Sequence, residues 1–147
     1  MISLAMLDVL TEAGMYTPEQ RKQIIVTYAA DNMMTSKPTL SQAHRVRSVM
    51  QNYYFIKEGA MEISPEGILN VDIEKMVPTA RKMLEEIIQV QMKGDFSKGE
   101  KYVLDNFVWT PEMETMAQNI KKVSKTLNGK VESPLADKLL AVSYTHL

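Results

Sequence analysis

Apolar residues recur along this chain at three- and four-residue intervals, and that spacing predicts a mainly α-helical protein. The most complete stretch is residues 39–59, TLSQAHRVRSVMQNYYFIKEG. Thr39 is placed to cap the first turn, Gln42 to reciprocate in a capping box, and Gly59 to end the helix. Ala43, Val46, Met50, Tyr53 and Tyr54 form the stripe expected to be buried. The other side carries His44, Arg47, Ser48 and Gln51, which project from one face. A helix here aims an imidazole and a guanidinium into the same space, a pairing suited to an oxyanion or a carboxylate.

The same reading extends in both directions. Ile2, Ala5, Met6, Val9 and Leu10 make a helical stripe that ends at Gly14. It starts apolar and uncapped, as a helix would that had lost its beginning at an internal methionine or a truncated gene start; a native N-terminal helix is the alternative. Thr17, Pro18 and Gln20 start the next helix. It is expected to run past Ile24, Ile25, Tyr28 and Ala29 to about Thr35, with Pro38 forbidding continuation and Met33 and Met34 filling the core. Residues 60–63 and 68–71 are short extended runs around SPEG, which predicts a hairpin. Asp72 then caps the longest helix, whose apolar side is Ile73, Val77, Ala80, Leu84, Ile87, Ile88 and Gln91 and which ends at Gly94. Pro78 either kinks its early turns or marks its start. Glu85 and Glu86 diverge by about 100° on a helix, so they are read as solvated rather than as a paired carboxylate. Asp95 caps a helix from about Ser97, with Tyr102, Val103, Leu104 and Phe107 as its buried side. Thr110 and Pro111 begin another, along Met113, Met116, Ala117, Ile120, Val123 and Leu127, and Trp109 packs the corner before it. Asn128 and Gly129 end that helix, and Ser133 with Pro134 can start a last short one.

Composition narrows the function classes. The 147 residues are 45% apolar, with 17 basic against 18 acidic side chains and a net charge of -1. That balance offers no general attraction for nucleic acid or an acidic membrane. Lys121, Lys122, Lys125 and Lys130 lie where they complement a helix dipole. Cysteine is absent, which excludes disulfides, thiol nucleophiles and thiolate metal sites and favours a cytoplasmic setting. No apolar run reaches the roughly 18 residues that span a bilayer. Residues 1–14 lack a basic leader, and Asp8 and Glu12 interrupt them.

One resemblance gives these elements an order. QAH at Gln42 to His44, EGA at Glu58 to Ala60, a hairpin, and then LEEIIQVQMKGDFSKGE over residues 84–100 resemble the C-terminal helical region of the dipeptidyl peptidase III family of zinc metallopeptidases. QMKGDFSKG is the most telling part, and the similarity runs from about residue 1 to 114. The resemblance implies a zinc-dependent enzyme that removes dipeptides from the N-termini of oligopeptides, built as two lobes around a wide cleft. The fold it implies here is mainly α, an irregular multi-helix array with one short β-hairpin, forming part of that larger enzyme over residues 1–140. His44 matches a histidine that stabilises the reacting carbonyl, and Arg47 and Gln51 are candidate substrate-binding residues beside it. Where the family tends to place an arginine four residues after the histidine, this chain has Ser48.

The family's HExxGH helix and its later glutamate ligand, in a run like EECRAE, are absent from this sequence. Zinc is therefore expected in the parent protein and not in this chain, which alone is expected to be inactive. The implied partners are a peptide substrate and N-terminal catalytic segments, with no nucleic acid and no membrane. Residues 141–147 are expected to be a non-native or disordered tail that fits no family element. VSYTHL resembles translated sequencing-adapter sequence, so His146 is recruited to no site. The alternative reading is a non-catalytic helical binding or scaffold module that shares the architecture.

Overall fold

A computed structural model describes residues 1–127. Its elements in chain order are α1 (Ile2–Ala5), α2 (Leu7–Glu12), α3 (Pro18–Asp31), α4 (Ala43–Lys57), β1 (Met61–Ile63), β2 (Leu69–Val71), α5 (Ile73–Lys93), α6 (Phe96–Asn106) and α7 (Pro111–Leu127). The array is mainly helical and irregular, with one small antiparallel hairpin that pairs Met61 with Val71 and Ile63 with Leu69. Among the described residues no helix is long and apolar enough to cross a membrane. The expected helix at Ser133 and Pro134, Lys130, and the terminal segment with His146 lie outside the described residues.

Local signals start and stop most of these elements as the sequence predicts. Thr17 and Gln20 form a complete capping box around Pro18 at the head of α3. Asp72 accepts from the backbone N–H groups of Glu74 and Lys75, Asp95 from that of Lys98, and Thr110 Oγ1 from that of Met113. At the far end of α4 the Gly59 N–H reaches the Ile56 carbonyl and the Ala60 N–H the Phe55 carbonyl. That is a Schellman motif, closed by Gly59 at φ +71. Pro78 lies inside α5, on its exposed side, where water can satisfy the carbonyl that loses its donor.

Two apolar clusters hold the array. The larger joins Leu4, Leu7, Ile25, Phe55, Met76 and Val77, and so ties α1, α2, α3, α4 and α5 together. The smaller joins Ile63, Met113 and Met116, with Trp109 and Ile120 against it. Met33 packs on both, which fits the expected role of a methionine as adaptable filling. The hairpin turn sits directly on α7: a side chain at Gly67 would meet the Met116 backbone nitrogen at 2.8 Å, and Asn119 Nδ2 donates to the Glu66 carbonyl.

Several expectations are corrected. The N-terminal helix is broken at Met6, where Arg81 Nε donates to the Ala5 carbonyl at 2.8 Å, and its buried residues are Leu4, Ala5 and Leu7. Ile2, Met6 and Val9 of the predicted stripe are exposed. Helix α3 stops at Asp31 rather than Thr35, because the Asn32 side chain takes the Tyr28 carbonyl and Asn52 takes that of Asn32. Helix α4 begins at Ala43, four residues after Thr39. Gln42 does accept from the Thr39 N–H, but the Thr39 hydroxyl is engaged with Ser41, so half a box forms around a turn. Ala43, Ile88, Gln91, Leu104 and Val123 are exposed rather than buried; Ile88, Gln91 and Val123 lie beyond the packed first halves of α5 and α7.

Candidate functional site

Helix α4 passes through the middle of the array, and its second half is enclosed on most sides. Val46, Val49, Tyr54 and Phe55 are buried, but so are Ser48, Gln51 and Asn52. Each of these polar groups has a partner, as burial requires. Asn52 Nδ2 donates to the Asn32 carbonyl at 2.8 Å. Tyr28 Oη donates to Gln51 Oε1 at 2.7 Å. The Ser48 hydroxyl turns back to the His44 carbonyl at 3.4 Å, the usual retreat of a serine within a helix.

The polar side of α4 is therefore divided. His44 and Arg47 are exposed on its first two turns, three residues apart on one flank, while Ser48 and Gln51 face other protein groups. Among the described residues Arg47 enters no ion pair. It stands at the edge of a cavity of about 420 Å³ that Gln51 also lines. Burial pushes the Tyr28 phenol above its ordinary pKa, against the opposing pull of its Asn32 contact and the Arg47 charge. Partial burial lowers the affinity of the Met1 amine for its proton, and Arg47 lowers it further.

A second polar centre was not foreseen. Glu86, read from sequence as solvated, accepts from Tyr54 Oη at 2.7 Å on one carboxylate oxygen and from Tyr102 Oη at 3.2 Å on the other. One side chain thus joins α4, α5 and α6. Burial first, and then the carboxylate beside them, push both phenols far above their ordinary range. The Glu58–Lys82 ion pair lies across the same face of α5. The available clue was Tyr54, since a tyrosine placed in a buried stripe needs a partner for its hydroxyl. Nothing local pointed to Glu86, 32 residues away. Its neighbour Glu85 is exposed, as expected.

Among the described residues no group of three or more His, Asp or Glu side chains could hold a metal ion. No family model matches the sequence. No solved structure matches it. A curated relative does. Nudix hydrolase 3 of Arabidopsis thaliana is 22% identical over 139 residues, a match that covers 95% of this chain and 18% of that protein. The chain thus spans less than a fifth of the length of the relative it matches.

Proposed function

We propose that this chain is the helical C-terminal part of a larger hydrolase of the dipeptidyl peptidase III kind, with the first turns of α4 forming part of a peptide-binding cleft wall. The observation that carries this reading is the exposure of His44 and Arg47 on one flank of a helix whose remaining length is fixed by buried polar contacts. A side chain that stabilises charge developing in a reaction must be held by a rigid support and still face the substrate. The N-terminal end of α4 satisfies both conditions. In this proposal the imidazole donates a hydrogen bond to the oxygen of the reacting peptide carbonyl, and the guanidinium holds a peptide carbonyl or carboxylate beside it. Gln51 contributes from behind, by fixing α4 to Tyr28.

The donor set of the described chain does not fit a zinc ion, because His44 stands without the further His or carboxylate partners that such a site needs. The zinc ligands are accordingly assigned to the rest of the parent protein, as are the catalytic water and its activation. The Arabidopsis relative is a hydrolase by name, and the matched part is a small fraction of it. Both facts suit a helical region that supports chemistry carried elsewhere. A cytoplasmic setting belongs to the same proposal. A helical binding or scaffold module is the second reading, favoured by the exposed Met6 and Val9 beside α1 and α2.

The test is kinetic and uses the full-length parent enzyme. His44→Ala is expected to lower kcat for dipeptide release on the order of 10²-fold, with zinc content and thermal stability unchanged. Arg47→Ala is expected to act more on KM. Unchanged kcat in a folded, zinc-loaded His44→Ala enzyme would overturn the assignment. A parent open reading frame without HExxGH would favour the scaffold reading.

A further inference from the structure

The cavity beside Arg47 has an apolar wall that the peptidase reading leaves unused. Met1, Ile2, Met50, Met83, Leu84 and Ile87 form most of its wall, so α1, α4 and α5 border an open, mainly apolar cleft. Its volume of about 420 Å³ falls within the ordinary range for small-molecule sites, roughly 300–1,000 Å³. Three polar side chains interrupt the wall, Ser3, Arg47 and Gln51, the last two one helical turn apart on α4. The guanidinium has no carboxylate partner among the described residues. Gln51 is fixed because its oxygen accepts from Tyr28. Its amide NH2 is thereby turned from that contact, and no protein acceptor takes it among the described residues.

An apolar pocket edged by a cation and an amide donor matches one kind of ligand: an anion carried on a hydrocarbon body. A planar carboxylate suits the guanidinium fork, and flexible methionine walls accommodate an aliphatic chain without a fixed shape. We infer that this cavity binds a monocarboxylate bearing a short aliphatic chain, with its head on Arg47 and Gln51 and its tail between Met50, Met83 and Ile87. The site shares Arg47 and Gln51 with the proposed cleft wall but uses neither His44 nor any peptidase step, so its binding test is separate from the kinetic test of the proposed function.

Three methionines in the wall supply the readout. The 147-residue chain, labelled with ¹³C at its methionine methyl groups, is titrated with octanoate and, separately, with octylammonium. Saturable shifts of the Met50 and Met83 methyl signals are expected with octanoate and not with octylammonium, while Met113 and Met116 in the second cluster stay unmoved. Arg47→Gln should weaken octanoate about tenfold. Gln51→Glu, which places a negative charge at the head of the pocket, should weaken it as well. Unmoved Met113 and Met116 signals in each variant verify that the fold persists. Equal shifts from octylammonium, unchanged affinity in a folded Arg47→Gln chain, or no saturable shift with octanoate would each overturn the proposal.

Discussion

Replacing Glu86 by leucine removes the acceptor that joins three helices. Tyr54 is 2% exposed, so its hydroxyl would be left buried without a partner, a cost of about 1–3 kcal/mol. Tyr102 is only partly buried and its bond is longer, 3.2 Å. It can turn to water, and its loss adds roughly 0.5–1 kcal/mol. The expected total is about 1.5–4 kcal/mol, a large fraction of the stability of an ordinary domain. Trp109, the chain's one tryptophan, reports unfolding in urea at neutral pH. The decisive measurement is a double-mutant cycle with Tyr54→Phe. In the wild-type background that change breaks a charge-assisted bond and destabilises. In the Glu86→Leu background it removes an orphaned hydroxyl and restores about 1–2 kcal/mol. A Glu86→Leu chain within about 0.5 kcal/mol of wild type, or a Tyr54→Phe effect of the same sign and size in both backgrounds, would refute the reasoning.

The same cluster sets the alkaline limit. Tyr54 and Tyr102 have raised pKa values in the folded chain, so the folded state keeps protons that the unfolded state releases. Their contribution is fully present below the unfolded tyrosine pKa of about 10 and is lost as pH rises above it. Each tyrosine contributes a slope of about -1.4 kcal/mol per pH unit there. Urea melts above that pH should show the fall, and Tyr54→Phe should flatten it.

Other outcomes follow from single contacts. Gly67→Ala should destabilise by about 1–3 kcal/mol in a urea melt, because φ is +79 and the added carbon meets the α7 backbone. Thr17→Ala should cost about 1 kcal/mol by the same assay, since it opens the capping box of α3. The chain alone should release no dipeptide from a fluorogenic substrate with zinc supplied, and turnover would place the metal ligands within it.

Element types were legible because their signals are local. Thr17-Pro18 before Gln20, Asp72, Asp95, Thr110-Pro111, SPEG and Gly94 each act within a few residues, and each does the expected work in the fold. Faces were less legible. Periodicity finds an apolar stripe but cannot say whether a second side of the helix is also covered. On α1 and α2 the predicted stripe of Ile2, Met6 and Val9 is the exposed side, and Leu4 and Leu7 enter the core. On α4 the side called polar is half enclosed, because Asn32 and Tyr28 of the preceding helix region meet Asn52 and Gln51.

These polar pairings also separate the two readings of α4. If its polar residues all faced a cleft, their removal would affect ligand contacts and leave the array standing. Gln51 and Asn52 instead fasten α4 to the α3 region, and Tyr54 fastens it through Glu86 to α5 and α6. Substitutions at Asn52 and Tyr54, and any at Gln51 that removes the acceptor for Tyr28, are therefore predicted to act through stability. His44 and Arg47 lack such contacts through their side chains among the described residues, and stay on the surface. Any effect of changing them must arise from something that binds there. The first two turns of α4 are consequently the part of the helix where a functional assay and a stability assay should disagree.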